Sequence, residues 1–169
     1  MKITEIVDPE VEHFRQLRQT GFYGKAGAGS LFLAKSTCRL GIAHRSNNPP
    51  PHHVEQPGTY GTVGGAIDPN ENPLEAAIRE VRQEISYAKR RGDHLQELDV
   101  FRKNDFVYTT FLYVVVEEFK PVLNWENQGF VWVEFGQWPQ PLHFGLKATL
   151  AKPQCLDIIK TEILKNRTT

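Results

Sequence analysis

Apolar residues recur along this chain in two rhythms. Between Asn72 and Ser86 they fall at Leu74, Ile78, Val81 and Ile85, one stripe of a helix that needs a core to face. Asn72 is a good N-cap, Pro73 suits the first helical position, and Glu75 completes a capping-box pattern. The other rhythm is that of strands. Residues 95–103 and 106–116 predict two strands around Lys103-Asn104-Asp105. The second is rich in β-branched and aromatic residues, as in a central strand covered on both faces. Leu31–Ala34 and Leu40–His44 predict a hairpin, and Phe130–Phe135 a further strand.

Helices are expected after Asp8-Pro9, with Val11, Phe14 and Leu17 buried, and near Phe144–Ala151. A last helix carries Leu156, Ile159 and Ile163 on one face. Gly21, Gly24, Gly27 and Gly29 are expected to loosen the chain before the hairpin. Residues 46–58, with four prolines and two asparagines, predict an exposed loop, either a substrate rim or a passive insertion. No repeat or boundary divides the chain, so residues 1–169 are expected to form one domain. Its elements predict an α/β sandwich with a mixed sheet.

Composition narrows the function. Twenty basic residues balance 20 acidic ones, which disfavours a general nucleic-acid or membrane-surface binder. Cys38 and Cys155 lack metal-type spacing and read as two free buried thiols. No apolar run has the length of a membrane span, and the N-terminus has no signal-peptide core. The expectation is a soluble, cytoplasmic chain.

The chemistry concentrates in residues 64–87. A Gly64-Gly65 turn feeds the capped helix, on which Glu80 and Glu84 stand one turn apart with Gln83 beside them. Two carboxylates on a rigid element suit a hard divalent cation, and the glycine turn adds a carbonyl within reach. Two glutamates on a helix are ordinarily just a solvated face. Here their company decides. The spacing of Gly65, Glu71, Arg79-Glu80-Val81 and Gln83-Glu84 resembles the Nudix box. The likeness extends to His44-Arg45 upstream, and to Asn124-Trp125-Glu126 and Gly129–Val133 downstream. The chain departs from the usual pattern at Gln83, normally an acid, and at Ser86, normally Gly. Tyr60 and Val63 stand where Trp and Pro are frequent.

The resemblance implies an α-β-α sandwich, the Nudix fold. It implies a Mg2+-dependent hydrolase, or one using Mn2+, in which water attacks a pyrophosphate. The substrate would be a small nucleotide: a nucleoside diphosphate linked to another group, or a nucleoside triphosphate. Glu80 and Glu84 are expected as the principal metal ligands, with the Gly65 or Gly64 carbonyl and Gln83 as weaker ones. Glu71 and Arg79 are expected to form an ion pair that braces the loop on the helix. A base from outside the box is expected: Glu126 first, then Glu117, Glu118 or Asp105.

Arg45 at a strand end is the leading phosphate contact, ahead of His44, His52 and His53; His143 has no argued role. Tyr23, Tyr60, Tyr108 and Trp125 have rings able to stack on a base, Tyr60 being assigned to substrate binding. A homodimer is the expected assembly. Two other readings stand beside the pyrophosphohydrolase: a nucleotide-sugar hydrolase acting at the sugar, and a non-catalytic nucleotide-binding domain with a degraded box.

Overall fold

The computed structural model describes residues 26–48, 51 and 54–168. The expected N-terminal helix, Tyr23, His52 and His53 lie outside them. The elements run β1 (Ala26–Ala34), β2 (Leu40–Arg45), β3 (Tyr60–Gly61), β4 (Val63–Ala66), α1 (Pro73–Ile85), β5 (His94–Lys103), β6 (Phe106–Val115), β7 (Asn127–Val133), α2 (Phe144–Leu150) and α3 (Pro153–Arg167).

The strands form one sheet in the order β3-β2-β1-β6-β5, with β4 paired to β1 and β7 to β2. Among the strand pairings of the described residues β1–β6 is parallel and the others antiparallel, so the sheet is mixed as expected. Alternation along β1 divides the core. Phe32 and Ala34 pack with Val81 and Ile85 of α1, whereas Leu31 and Leu33 pack with Leu146, Leu150, Ile159 and Ile163 of α2 and α3. Helices thus cover both faces, giving the α-β-α sandwich. Cys38 and Cys155 are buried free thiols.

β1 is shared along one edge. Its Phe32 and Leu33 pair with β2, while Gly27–Ser30 pair with β4. The strands β2 and β4 must therefore diverge, and the site lies at this split. Gly27 and Gly29 do not loosen the chain; they are interior to β1. Bare backbone is needed there because the Tyr108 ring crosses both glycines: a Cβ on Gly27 would lie 2.8 Å from Tyr108 Cδ2.

α1 begins with the full capping box. Glu75 N donates to Asn72 Oδ1 at 2.8 Å, and the Asn72 N–H donates to the Glu75 carboxylate. Its buried face is rotated from the apolar stripe. Ala76, Ala77, Val81, Glu84 and Ile85 are buried, while Leu74 is 41% exposed. Small residues decide this: Ala76 and Ala77 pack on Ala28 and Phe111, drawing the alanine side of the helix onto the sheet. Ser86 ends the helix in the left-handed region, φ 56°, where Gly is the easier residue. The strand expected at Phe130 already starts at Asn127, because pairing to β2 extends to Arg45.

Candidate active site

Arg79 organises the loop before α1. Its Nε and Nη2 each donate at 2.9 Å to the Glu71 carboxylate, and Nη2 also donates to the Ala66 carbonyl. The expected Glu71–Arg79 pair is therefore present and bidentate. Nη1 donates to Glu80 Oε1 at 2.8 Å and to Gln83 Oε1 at 3.0 Å. Gln83, expected beside the metal, is exposed and braces Arg79. The Glu71 carboxyl is held below its ordinary range, first by the hydrogen bond from Arg79.

Glu80 is pressed onto the glycine turn. A Cβ on Gly65 would lie 2.8 Å from Glu80 Oε1, so a bare backbone is required there. Burial pushes the Glu80 carboxyl up, against the pull of Arg79 and with the help of Glu126 and Asp68.

Glu84 is not the surface carboxylate its helix spacing suggests. It is 2% exposed. Asn127 Nδ2 donates to Oε2 at 2.9 Å, while Oε1 is buried with no hydrogen-bond partner. Burial raises its carboxyl well above the ordinary range, and the Glu126 and Glu80 charges raise it further. Asn127 and, through space, Arg45 oppose that rise.

The approach of Glu126 has a local cause. The last carbonyls of α1 need donors, and the chain after β6 supplies them. Val122 N donates to the Ile85 carbonyl and Asn124 N to the Glu84 carbonyl, at 3.1 and 2.9 Å. Asn124 Oδ1 then accepts from Glu126 N at 2.9 Å, an Asx-type turn. The Glu126 carbonyl accepts from Ser46 N, tying this turn to the end of β2. Glu126 is thereby placed where its charge acts on both Glu80 and Glu84.

The alternative bases lie elsewhere. Glu118 receives Arg39 Nε and Nη2 at 2.6 and 2.7 Å and Thr37 Oγ1 at 2.7 Å, so it staples the β1–β2 turn. Glu117 faces solvent beside Arg90, and Asp105 sits in the β5–β6 turn.

Arg45 reaches the site from the end of β2. Its Nε donates to the Glu55 carbonyl at 2.7 Å, and its charge acts on Glu84 and Tyr108. Among the described residues its terminal nitrogens have no hydrogen-bond partner. His44 does not share this role: it stacks on Tyr60, with ring centroids 4.2 Å apart, and its Nε2 lies 3.2 Å from the Gly58 carbonyl. His143 is the N-cap of α2, with Nδ1 accepting from Gly145 N at 3.0 Å. Burial pushes its pKa down to about 3, so the ring is neutral.

The loop after β2 is anchored at its end. Val54 is buried, and Gln56 Oε1 accepts from Phe144 N at 3.0 Å.

No three His, Cys, Asp or Glu side chains among the described residues form a metal cage by themselves. The donor chemistry nevertheless fits a hard cation. Glu84 presents a buried carboxylate oxygen with no hydrogen-bond partner, and the charges of Glu80 and Glu126 act on it. Mg2+ ordinarily takes one or two carboxylates and completes its shell with water and phosphate oxygens.

Asn127 was not foreseeable as part of the site. It lies 43 residues from Glu84, and only the β2–β7 pairing brings it there.

Comparisons with known proteins bear on the family and the fold. A NUDIX domain family model matches residues 26–152. The structure resembles the Nudix hydrolase RenU from M. smegmatis, with TM-score 0.61 and 25% identity over 82% of this chain and 85% of that one. It resembles a MutT Nudix hydrolase from Burkholderia pseudomallei, with TM-score 0.57 and 21% identity over 76% and 96% of the two chains. A C. elegans Ap4A hydrolase aligns with TM-score 0.52 and 18% identity over 80% and 93%. No functionally curated protein matches in sequence. The domain match, the sandwich and the braced glutamate helix together establish that this chain belongs to the Nudix family of pyrophosphohydrolases.

Proposed function

We propose that this enzyme hydrolyses the pyrophosphate bond of a nucleoside triphosphate, or of a nucleoside diphosphate linked to another group. Glu80 and Glu84 hold Mg2+, or Mn2+ in its place, with the Gly65 carbonyl as a further donor. Gln83 serves the site through Arg79. When bound there, the cation would supply Lewis-acid chemistry, neutralising phosphate charge and making water easier to deprotonate. Water forms the new P–O bond, the bridging P–O bond breaks, and the departing phosphate carries the electron pair away.

Glu126 accepts the proton of the attacking water. What supports this role is its half-buried placement, from which its charge acts on both box carboxylates. Arg45 binds a substrate phosphate through its terminal nitrogens. Tyr60 contributes the edge of the pocket, since one of its faces is covered by His44.

The observation that carries this reading is Glu84: buried, anchored by Asn127 through one oxygen and unpartnered at the other. Such a group is costly to keep in an unliganded fold unless a cation completes it. The test is a panel of nucleotides and nucleotide sugars with magnesium, assayed for phosphate, nucleoside monophosphate and free sugar. Phosphate or monophosphate release that disappears with EDTA is expected. Free sugar alone would move the attack to carbon, and no release would leave a binding domain.

A further inference from the structure

We propose that Tyr108 is the stacking platform and specificity determinant for the planar ring of the substrate, on the sheet face opposite α1. This rests on the reading above, which puts the phosphates at Glu80 and Glu84.

Tyr108 lies in register with Gly27 on β1, on the side of the sheet that also carries Leu31 and Leu33. α2 and α3 cover that side farther along, over Leu31, Leu33, Leu112 and Val114. At the Gly27 end the Tyr108 ring takes the place of side chains. A Cβ on Gly27 would meet Cδ2 and Cε2 at 2.8 and 3.1 Å, and one on Gly29 would meet the ring carbon Cζ at 3.1 Å. The ring thus rests along two glycine backbones and remains half-buried. Its hydroxyl lies 3.2 Å from Thr62 Oγ1, in the link between β3 and β4.

Strand β4 joins this platform to the acids. A Cβ on Gly64 would lie 2.6 Å from the Tyr108 hydroxyl, and one on the next residue, Gly65, 2.8 Å from Glu80 Oε1. Successive residues of a strand point to opposite faces. One bare peptide therefore separates the phenol from the first carboxylate. Among the described residues β4 pairs only with β1, so its other edge has no strand. A nucleotide crossing that edge reaches the ring with its base and the acids with its phosphates. The hydroxyl responds to the same charges: burial raises its pKa first, and Glu84 and Glu80 add to the rise, opposed by Thr62 and Arg45. A flat heteroaromatic ring is the chemistry such a surface accepts, because every base offers a π-face. Tyr108 has Phe106 as a ring neighbour, with centroids 6.4 Å apart and planes 25° apart, whereas His44 lies closer and flatter on Tyr60, at 4.2 Å and 7°.

The test compares wild type, Tyr108→Leu and Tyr108→Phe on the ribonucleoside triphosphates, ADP-ribose and inorganic tripolyphosphate. Tyr108→Leu should raise KM for the best nucleotide about tenfold or more, with kcat little changed. Tyr108→Phe should restore it, and tripolyphosphate hydrolysis should not move. Equal losses on nucleotide and tripolyphosphate would reduce Tyr108 to packing and overturn the proposal, as would unchanged KM. If wild type cleaves nothing, the hydrolase reading fails, and calorimetry with methylene-bridged nucleotide analogues decides. Weaker binding by Tyr108→Leu upholds the platform; unchanged binding, or none by wild type, overturns it. Should Tyr108→Leu not fold, 19F NMR of fluorotyrosine-labelled wild type gives the answer, the resonance being assigned with Tyr108→Phe. That signal must shift on adding the analogue, and a static signal overturns the proposal.

Discussion

Asn127 donates its side-chain amide to Glu84 Oε2 at 2.9 Å, joining the first residue of β7 to the last turn of α1. Glu84 has no other hydrogen-bond partner for its carboxylate among the described residues, so Asn127 alone orients it. Asn127→Ala should lower magnesium-dependent turnover about 10–100-fold, the usual cost of losing a group that aims a ligand. Kinetics across a magnesium titration check this. Wild-type turnover at every concentration would mean that the amide does not position Glu84.

Glu84→Gln should separate activity from stability. The neutral amide removes a buried charge crowded by Glu80 and Glu126, so the metal-free protein should be at least as stable as wild type. Turnover should fall about a hundredfold or more, because the carboxylate serves the reaction. Thermal melts in EDTA beside magnesium-dependent rates give both readings. Near-normal turnover at saturating magnesium would remove Glu84 from the chemistry.

Gln83→Ala tests whether residue 83 touches the metal. Its amide oxygen accepts from Arg79 Nη1 at 3.0 Å on the exposed side of α1. The magnesium concentration for half-maximal rate should stay within about fivefold, since an exposed hydrogen bond contributes only ~1 kcal/mol. A much larger magnesium requirement would place residue 83 in the coordination shell.

Ser86→Gly should stabilise the fold. Ser86 holds φ 56° and ψ 32° at the end of α1, where a side chain is strained and glycine is not. A gain of about 0.5–1 kcal/mol is expected in urea unfolding, with unchanged rates. A loss of stability would mean that the Ser86 side chain supplies something the strain does not cancel.

Glu118→Gln gives a pH signature away from the site. Arg39 and Thr37 hold the Glu118 carboxyl below its ordinary range. The stability it contributes is present above the unfolded-state pKa, about 4.3, and is lost as pH falls through the lower folded value. Wild type should therefore melt above Glu118→Gln at pH 7, and the two should converge in acid. A gap that persists at the lowest pH would show that the charge is not its source.

Much of the site was legible because it is local. The capping-box partners lie three residues apart at the start of α1 and the Glu71–Arg79 pair eight apart across the adjoining loop, so short stretches of chain bring those groups together. The strands around residue 104 and the helix with Ile159 and Ile163 followed from periodicity in the same way. The composition of Lys103-Asn104-Asp105 likewise marked a turn, which Asn104 completes at φ 55°.

Burial was not local, and there the tertiary structure decided. Which face of α1 turns inward depended on Ala76 and Ala77 meeting Ala28, a contact between elements that periodicity cannot see. That rotation made Glu84 a buried carboxylate instead of an exposed one. Glu118 read as a candidate base until the β1–β2 turn brought Arg39 to it across 79 residues. Gly27 and Gly29 read as loosening the chain until Tyr108 was laid over them. Residue types and short spacings determined the elements and the Nudix box. Packing between distant strands determined which carboxylates lose their water, and that loss is what sets their charge and reactivity.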